Sequence, residues 1–352
     1  MIHSAPPHEE TLSLSDEVDE ELAALKWFRD SDYTDGLPIV IPTIERVERF
    51  LDRSGIDPEI VIGAIPPSEG VANARNVAVN ALMAGADPEH LGIIISALRA
   101  MLIPEFNLAG IQVTTNPTGP LTIVNGPVRN SLRIDSGAHA FAGGNNPNGP
   151  IGRALRFVLR NVGEAKGEAD RATLGMPSKY SFCLAENEED SPWEPLHVSL
   201  GYKASDSVVT VLAPESIVDS CRPSFSSTEP LIWDFVEVMT ALGTNRNTSS
   251  GTLLWVISSG RARILARAGY TRESLQQRLF EDAKFEWGPW GNWEGLLGQR
   301  HVEEDGKVLI TRAPSDIYIV VAGRSDPHHA TYLPSVRISY ATSEIVSAGR
   351  GE

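Results

Sequence analysis

The chain has 352 residues, 41% of them hydrophobic and 22% charged, which is ordinary for a globular protein of one large or two medium domains. Its formal net charge of −16 argues against nucleic-acid binding, because phosphate backbones require a basic surface. No apolar run approaches the length of a membrane span and no signal peptide opens the chain, so we expect a cytoplasmic protein without a membrane partner.

Residues 1–32 form an acidic N-terminal segment, with a loose tail followed by a predicted helix at residues 15–27. The segment holds nine acidic and two basic residues, so it contributes −7 of the net charge. Such runs usually form a solvated helix face, and we assign this segment no catalytic role.

Residues 33–200 alternate between short apolar runs and longer amphipathic stretches, which predicts a first α/β half. The predicted strands are residues 37–41, 59–65, 111–115, 121–124 and 180–185. The predicted helices are residues 44–53, 72–84, 88–102 and 151–161.

Residues 201–352 repeat this order of elements, with strands at 208–212, 253–257 and 317–322 and helices at 231–242, 261–268 and 272–283. Four segments pair with earlier ones: 208–212 with 61–65, 231–242 with 91–102, 253–257 with 121–124, and 317–322 with 180–185. We therefore predict an α/β fold of two pseudo-repeated halves with a ligand cleft between them. Few identical residues support the pairing, so chance similarity stays open as the alternative.

Residues 284–306 contain three tryptophans separated by glycines and a proline, a composition that excludes a helix. We predict an aromatic loop that either fills a seam between the two halves or forms a lid.

The stretch 176–197 concentrates ionisable side chains behind a predicted strand. Glu186 and Glu188 are two residues apart, so both side chains can lean to one face, and two close carboxylates raise one pKa. Together with His197 they suit general acid–base catalysis. The same residues could instead bind a divalent metal, although their spacing matches no compact metal motif, or they could form a solvated acidic loop.

Further polar residues follow predicted strands or open a helix. Asn125 follows a strand and can stabilise an oxyanion, although Asn-Gly is also a common turn. The loop 142–149, which contains Asn145, leads into a helix with Arg153 in its first turn, an arrangement that suits an anion or a simple flexible loop. The remaining substrate-binding candidates are Lys179, Asn187, Ser259 and Arg324.

Two adjacent histidines, His328 and His329, follow the last predicted strand, and in an extended chain at most one of them can face a site. The chain has no Walker or GxGxxG motif, so ATP and NAD are not indicated, and no nucleophile elbow supports an acyl-enzyme. Cys183 and Cys221 are too few for a disulfide framework or a thiolate metal cage.

Several short segments together resemble a poorly characterised bacterial family, whose members often accompany small proteins with a Sec/Cys-Gly-Ser-Cys motif. The segments are 35–38 (DGLP), 42–43 (PT), 78–89 (AVNALMAGADPE), 124–127 (VNGP), 151–155 (IGRAL), 179–188 (KYSFCLAENE) and 192–197 (PWEPLH). The resemblance covers roughly residues 33–330 and implies no particular reaction. It also implies a cysteine where this chain has Ala86, which favours acid–base chemistry over thiol redox chemistry.

We therefore predict an enzyme of lyase, hydratase or hydrolase type, rather than an oxidoreductase, that acts on a small polar anionic metabolite. Glu186, Glu188, His197 and Asn125 are the predicted catalytic residues. One alternative is a metal-dependent enzyme using the same cluster, and another is a non-catalytic partner subunit of a thiol or selenol redox complex. No cofactor is favoured, and a homo-oligomer or a small protein partner is left open.

Overall fold

The computed structural model describes residues 20–141, 146–222, 227–241, 251–286, 306–336 and 339–346. Within them, the α-helices are α1 (Glu20–Asp30), α2 (Ile44–Ser54), α3 (Ala74–Ala84), α4 (Leu91–Leu102), α5 (Leu108–Val113), α6 (Val128–Ser131), α7 (Asn148–Asn161), α8 (Leu196–Ser199), α9 (Glu229–Thr240), α10 (Ser259–Arg267) and α11 (Arg272–Asp282). The acidic tail, residues 1–19, and residues 287–305 of the tryptophan-rich loop lie outside the described residues.

The strands are β1 (Val61–Ile65), β2 (Gly70–Asn73), β3 (Leu121–Asn125), β4 (Cys183–Ala185), β5 (Val208–Leu212), β6 (Val218–Cys221), β7 (Leu253–Ile257), β8 (Lys284–Glu286), β9 (Lys307–Leu309), β10 (Ile317–Val321), β11 (His329–Leu333) and β12 (Thr342–Ile345). They form two mixed four-stranded sheets, in the orders β12-β5-β3-β4 and β10-β7-β11-β6. Two hairpins, β1-β2 and β8-β9, complete the described strands.

The two large sheets have the same pattern of strand directions. In the first, β3 is parallel to β4 and antiparallel to β5, which is antiparallel to β12. In the second, β7 is parallel to β10 and antiparallel to β11, which is antiparallel to β6. The outer strands β6 and β12 are exchanged between the two sheets. β6 follows β5 along the chain but joins the second sheet, and β12 follows β11 but joins the first.

The sheets pack face to face between two layers of helices. Leu121 and Ile123 of β3 share a core with Leu254 and Val256 of β7. The opposite face of the first sheet packs against α3, α4 and α7, and that of the second against α9, α10 and α11. Because both faces of β3, β5 and β7 are buried, these strands are largely apolar runs without polar alternation. This arrangement is a mixed α/β fold of four layers.

Two of the predicted strands are wrong. Residues 37–41 form no strand, because prolines at positions 38 and 42 remove backbone donors, and Val40 only donates to the Met83 carbonyl. Residues 111–115 instead overlap α5, whose N-terminus is capped by the Asn107 side chain accepting from Gly110.

The sequence predicts that residues 208–212 and 61–65 are equivalent strands of two repeats, but they do not occupy equivalent positions in the sheets. β5 is an inner strand of the first large sheet, whereas β1 belongs to a separate hairpin with partly exposed residues. The predicted domain boundary after residue 200 stays a prediction; β4 and β5, on either side of it, belong to one sheet.

Among the described helices, no single one is long and apolar enough to cross a membrane. One bent pair, Pro88–Leu102 with Pro104–Val113, meets the criteria of length and composition at an angle of 75°.

Candidate functional site

The first polar cluster lies where β3 and β4 end. Because these strands are parallel neighbours, their carboxyl ends meet at one edge of the sheet and bring Asn125 next to Glu186. The Asn125 amide donates to Glu186 Oε2 at 2.7 Å and to Glu188 Oε1 at 3.1 Å. These three predicted residues therefore do come together.

Glu186 is completely buried and is held by groups from several elements. Its Oε1 accepts from Arg272 at 2.8 Å, and its Oε2 also accepts from the Leu196 backbone N–H at 2.7 Å. Burial raises the pKa of Glu186, and Arg272 is the main group opposing the rise. The sequence predicted a raised pKa from carboxylate repulsion, but the charge of Glu188 makes the smallest contribution.

Arg272 was missed by the sequence analysis. It is the first residue of α11, and its guanidinium also donates to the carbonyls of Ile319 at 3.0 Å and of Glu194. It therefore joins β4, β10 and the segment before α8 in one buried network. No sequence signal connects it to Glu186, which is 86 residues away along the chain.

Glu188 and Glu189 are bound by groups at the end of β3. Glu188 Oε1 accepts from the Gly126 N–H at 2.7 Å and lies 3.3 Å from Arg129 Nε. Arg129 also donates to Glu189 at 2.7 Å, and this bond is the main reason that the pKa of Glu189 falls to about 2. Arg272 and Arg129 thus pair with three of the five acids between Glu186 and Glu194, and Arg263 pairs with a fourth, Asp190.

His197 is fully buried, and neither of its ring nitrogens makes a hydrogen bond of ordinary geometry to a described residue. Burial lowers its pKa, while Glu188, Asp206 and nearby backbone groups of residues 203 and 204 act in the opposite direction. Asn125 Oδ1 is likewise buried without a partner. Unsatisfied buried polar atoms of this kind call for a bound water or ligand.

The predicted anion-binding residues Arg153 and Lys179 lie elsewhere. Arg153 makes two bonds to the Asp35 carboxylate, at 2.7 and 2.8 Å, and Lys179 bonds to Asp170 at 2.6 Å. Lys179 precedes β4, so it lies at the opposite end of that strand from Glu186. Asn145 lies outside the described residues.

A cavity of about 630 Å³ lies at the carboxyl ends of β7 and β10, and we call it the seam cavity. Its lining comes from the loop 138–141, from Val256 and Ser258, from 322–324 with Asp326, and from 329–331. Val256, Ala322 and Ala140 also belong to the core between the sheets, so the cavity opens from the sheet–sheet interface. Asn187 donates its N–H to Val321 at 2.7 Å, next to this lining.

The seam cavity contains a histidine held by a carboxylate. His329 Nδ1 lies 3.2 Å from Asp219 Oδ2, across the antiparallel pair β11-β6. His328 does not line the cavity, and its Nδ1 lies 2.9 Å from the Arg222 carbonyl oxygen. Asp219 had no sequence signal, since only strand pairing brings it to His329.

Two further groups at the seam cavity lack side-chain partners within the described part of the chain. Arg324 is exposed and makes no ion pair or hydrogen bond there, and the His139 ring is also unpaired. His139 has a φ of 66°, a left-handed conformation that is uncommon for a side-chain-bearing residue. The neighbouring Ser259 is fully buried and its Oγ has no partner, while Ser258 lines the cavity.

Among the described residues, no group of three His, Cys, Asp or Glu side chains is arranged to hold a metal ion. Ala86, where the family resemblance implies a cysteine, is buried beside Arg46, Arg49 and Arg53 in a separate cavity of about 300 Å³. Comparison with protein-family models, curated proteins and solved structures gave no match. The family resemblance therefore stays a prediction, and the function is argued from geometry.

Proposed function

We propose that the protein is an enzyme that transforms a small polar anionic metabolite by acid–base chemistry in the seam cavity. The observation that carries the proposal is the pairing, in one cavity, of an unpartnered arginine with a histidine bound to a carboxylate. The reaction class stays that of a lyase, hydratase or hydrolase.

Binding would depend on Arg324. The cavity of about 630 Å³ has the size of a small-molecule site, and its walls include apolar residues such as Phe141 and Ala330. Arg324 is exposed, so solvent partly screens its attraction for an anion, and the apolar walls would add contacts with the rest of the ligand. Because Arg324 makes no ion pair within the described residues, an anionic substrate would not need to displace an existing partner.

Proton transfer would depend on His329. When the Asp219 carboxylate accepts a hydrogen bond from Nδ1–H, the neutral ring keeps its lone pair on Nε2, the arrangement of a general base with an orienting carboxylate. His139 lines the same cavity and could return a proton to the product. This assignment keeps the carboxylate–histidine chemistry that the sequence predicts but uses a different pair of residues.

In this proposal Glu186 is a positioning residue. It has no exposed surface, and both oxygens already accept hydrogen bonds. Through Arg272 it holds β10 immediately before the cavity. The common strand directions of the two sheets support the further proposal that the halves are pseudo-repeats and that the seam cavity is the cleft between them.

The test uses paired variants of the purified protein. A panel of small carboxylates and phosphates is screened by thermal shift, and the strongest binders are assayed for turnover. Arg324→Gln should lose ligand stabilisation, whereas Arg267→Gln, an exposed arginine of α10, should keep it. His329→Asn should abolish turnover and His328→Asn should retain it. Equal behaviour within either pair would overturn the proposal.

A second candidate site is the cluster of Asn125, Glu188 and His197. It is favoured by the unpartnered atoms of Asn125 and His197, which lie in the neighbourhood of the Glu188 carboxylate. Here Glu188 and His197 would transfer protons, as the sequence predicts. Turnover lost in His197→Asn and Glu188→Gln, in variants that fold normally, but kept in His329→Asn would select this site.

A further inference from the structure

We infer that a second pocket, at the amino end of β4, binds a small organic anion carrying a phosphate or carboxylate next to an apolar group. We call it the basic pocket. It has a volume of about 480 Å³ and goes beyond the proposed active site, which lies at the carboxyl ends of the strands. Its charged lining residues are Asp35, Arg156, Arg160, Asp170 and Lys179.

The cations come mainly from one face of α7. Arg153, Arg156 and Arg160 are spaced by three and four residues, so they lie along the same side of the helix. Lys179 approaches from the segment before β4, and its backbone carbonyl accepts from Arg156 Nε at 3.0 Å. Positive charge is therefore concentrated here in a chain whose net charge is −16.

Most of these cations have a carboxylate partner. Arg153 is paired with Asp35, Arg160 with Asp32 and Lys179 with Asp170. Four cations, Arg156 included, then face three carboxylates, which leaves one positive charge over.

Arg156 is the cation left over. Its nearest carboxylate oxygen, on Asp170, is 3.9 Å away and already bound to Lys179, and its terminal nitrogens make no hydrogen bond within the described part of the chain. The side chain is only 11% exposed. Burial lowers the pKa of Arg156 and the charge of Arg160 adds to this, while Asp170 opposes it.

Burial also affects the two cations that neighbour Arg156, which are Lys179 and Arg160. Burial lowers the pKa of Lys179, and Arg156 contributes to the decrease. Arg160 Nε is buried without a hydrogen-bond partner. A bound anion would supply hydrogen-bond acceptors to these guanidinium groups, which lack a full set of protein partners in the described part of the chain.

The side chains at the mouth of the basic pocket indicate which chemical group accompanies the anion of the ligand. Leu174 is 93% exposed and Tyr180 is 52% exposed, and both line the pocket. An apolar or aromatic group attached to the anion would cover these side chains and gain free energy by burying apolar surface. Phenyl phosphate and benzoate are probes with this combination of charge and ring.

Isothermal titration calorimetry at constant ionic strength tests the inference with phenyl phosphate, benzoate and inorganic phosphate. We expect at least one of the two aromatic anions to bind with a Kd of about 1 mM or tighter. Their relative affinity distinguishes a phosphate from a carboxylate ligand. Arg156→Met should weaken binding by about tenfold, which corresponds to about 1.4 kcal/mol, whereas Arg156→Lys should retain part of it.

Tyr180→Ala should weaken phenyl phosphate binding but leave that of inorganic phosphate unchanged, because only the ring contact is lost. Arg49→Gln, at an exposed position of α2, is the matched control and should bind as the wild type does. If Arg156→Met does not fold, Lys179→Met provides the same test. Absence of binding by both aromatic anions, or equal binding in the Arg156 and Arg49 variants, would overturn the inference. The titrations are repeated in an Arg324→Gln background, in which the seam cavity lacks its proposed anion-binding cation; binding that persists there and still weakens on Arg156→Met is assigned to the basic pocket.

Discussion

Replacement of Arg272 by Met should destabilise the protein strongly, because it leaves the Glu186 carboxylate buried without its cation. Both side chains are almost inaccessible, at 2% for Arg272 and 0% for Glu186. Removing one partner of such a buried pair costs about 3–5 kcal/mol, more than replacing both by apolar residues. The hydrogen bonds from Arg272 to the Ile319 and Glu194 carbonyls are lost as well.

The destabilisation should depend on pH in a defined direction. Burial already raises the pKa of Glu186, and Arg272 opposes that rise, so the variant raises the pKa of the folded state further. An acid whose pKa is higher in the folded than in the unfolded state costs stability when ionised, and protonation removes the cost. The loss should therefore shrink as the pH falls toward the unfolded-state pKa of glutamate, about 4.3.

Urea unfolding followed by fluorescence, at about pH 7.5 and about pH 5, measures both effects. The control is Arg263→Met, which breaks an exposed ion pair with Asp190 and should cost roughly 0–1 kcal/mol at either pH. A loss in the Arg272 variant no larger than in this control, or one that does not change with pH, would refute the reasoning.

Three further outcomes are expected. Gly126→Ala should lower the free energy of unfolding by about 2 kcal/mol or more, because Gly126 has φ 82° and an added Cβ would collide with a backbone carbonyl. The control is Gly149→Ala, whose added Cβ meets nothing within 4 Å, and chemical denaturation compares the two variants. Ellman's reagent should titrate Cys221, which is exposed, but not Cys183, whose pKa burial raises to about 12, until denaturant is added. Leu254→Ala should lower the free energy of unfolding by about 2–5 kcal/mol, and a smaller loss would contradict the assigned core between the sheets.

Much of the secondary structure was predictable because its signals are local. The Thr43 cap and the left-handed Gly55 bound α2, and Gly85 ends α3 in the same way. The continuous apolar runs of β3, β7 and β10 were recognised because strands with two buried faces need no polar alternation. The errors at 37–41 and 111–115 arose where an apolar run follows the sequence pattern of a strand but has no strand to pair with.

The candidate site was predictable only in part. The meeting of Asn125 with Glu186 follows from parallel strands that end at one edge, so the sequence suffices to suggest it. The partnership of His329 with Asp219 depends on the register of β11 against β6, two strands that are far apart along the chain. No residue spacing encodes that register.

The sequence by itself determined a mixed α/β protein with polar residues clustered after its strands and a formal net charge of −16. The tertiary structure decided which of those charges neutralise one another. Glu186 pairs with Arg272, 86 residues away along the chain, and Arg153 pairs with Asp35, 118 residues away, whereas Arg324 at the seam cavity and Arg156 in the basic pocket have no hydrogen-bonded carboxylate in the described part of the chain. The physical reason is that an ion pair depends on distance in space, which only the packed sheets and helices set.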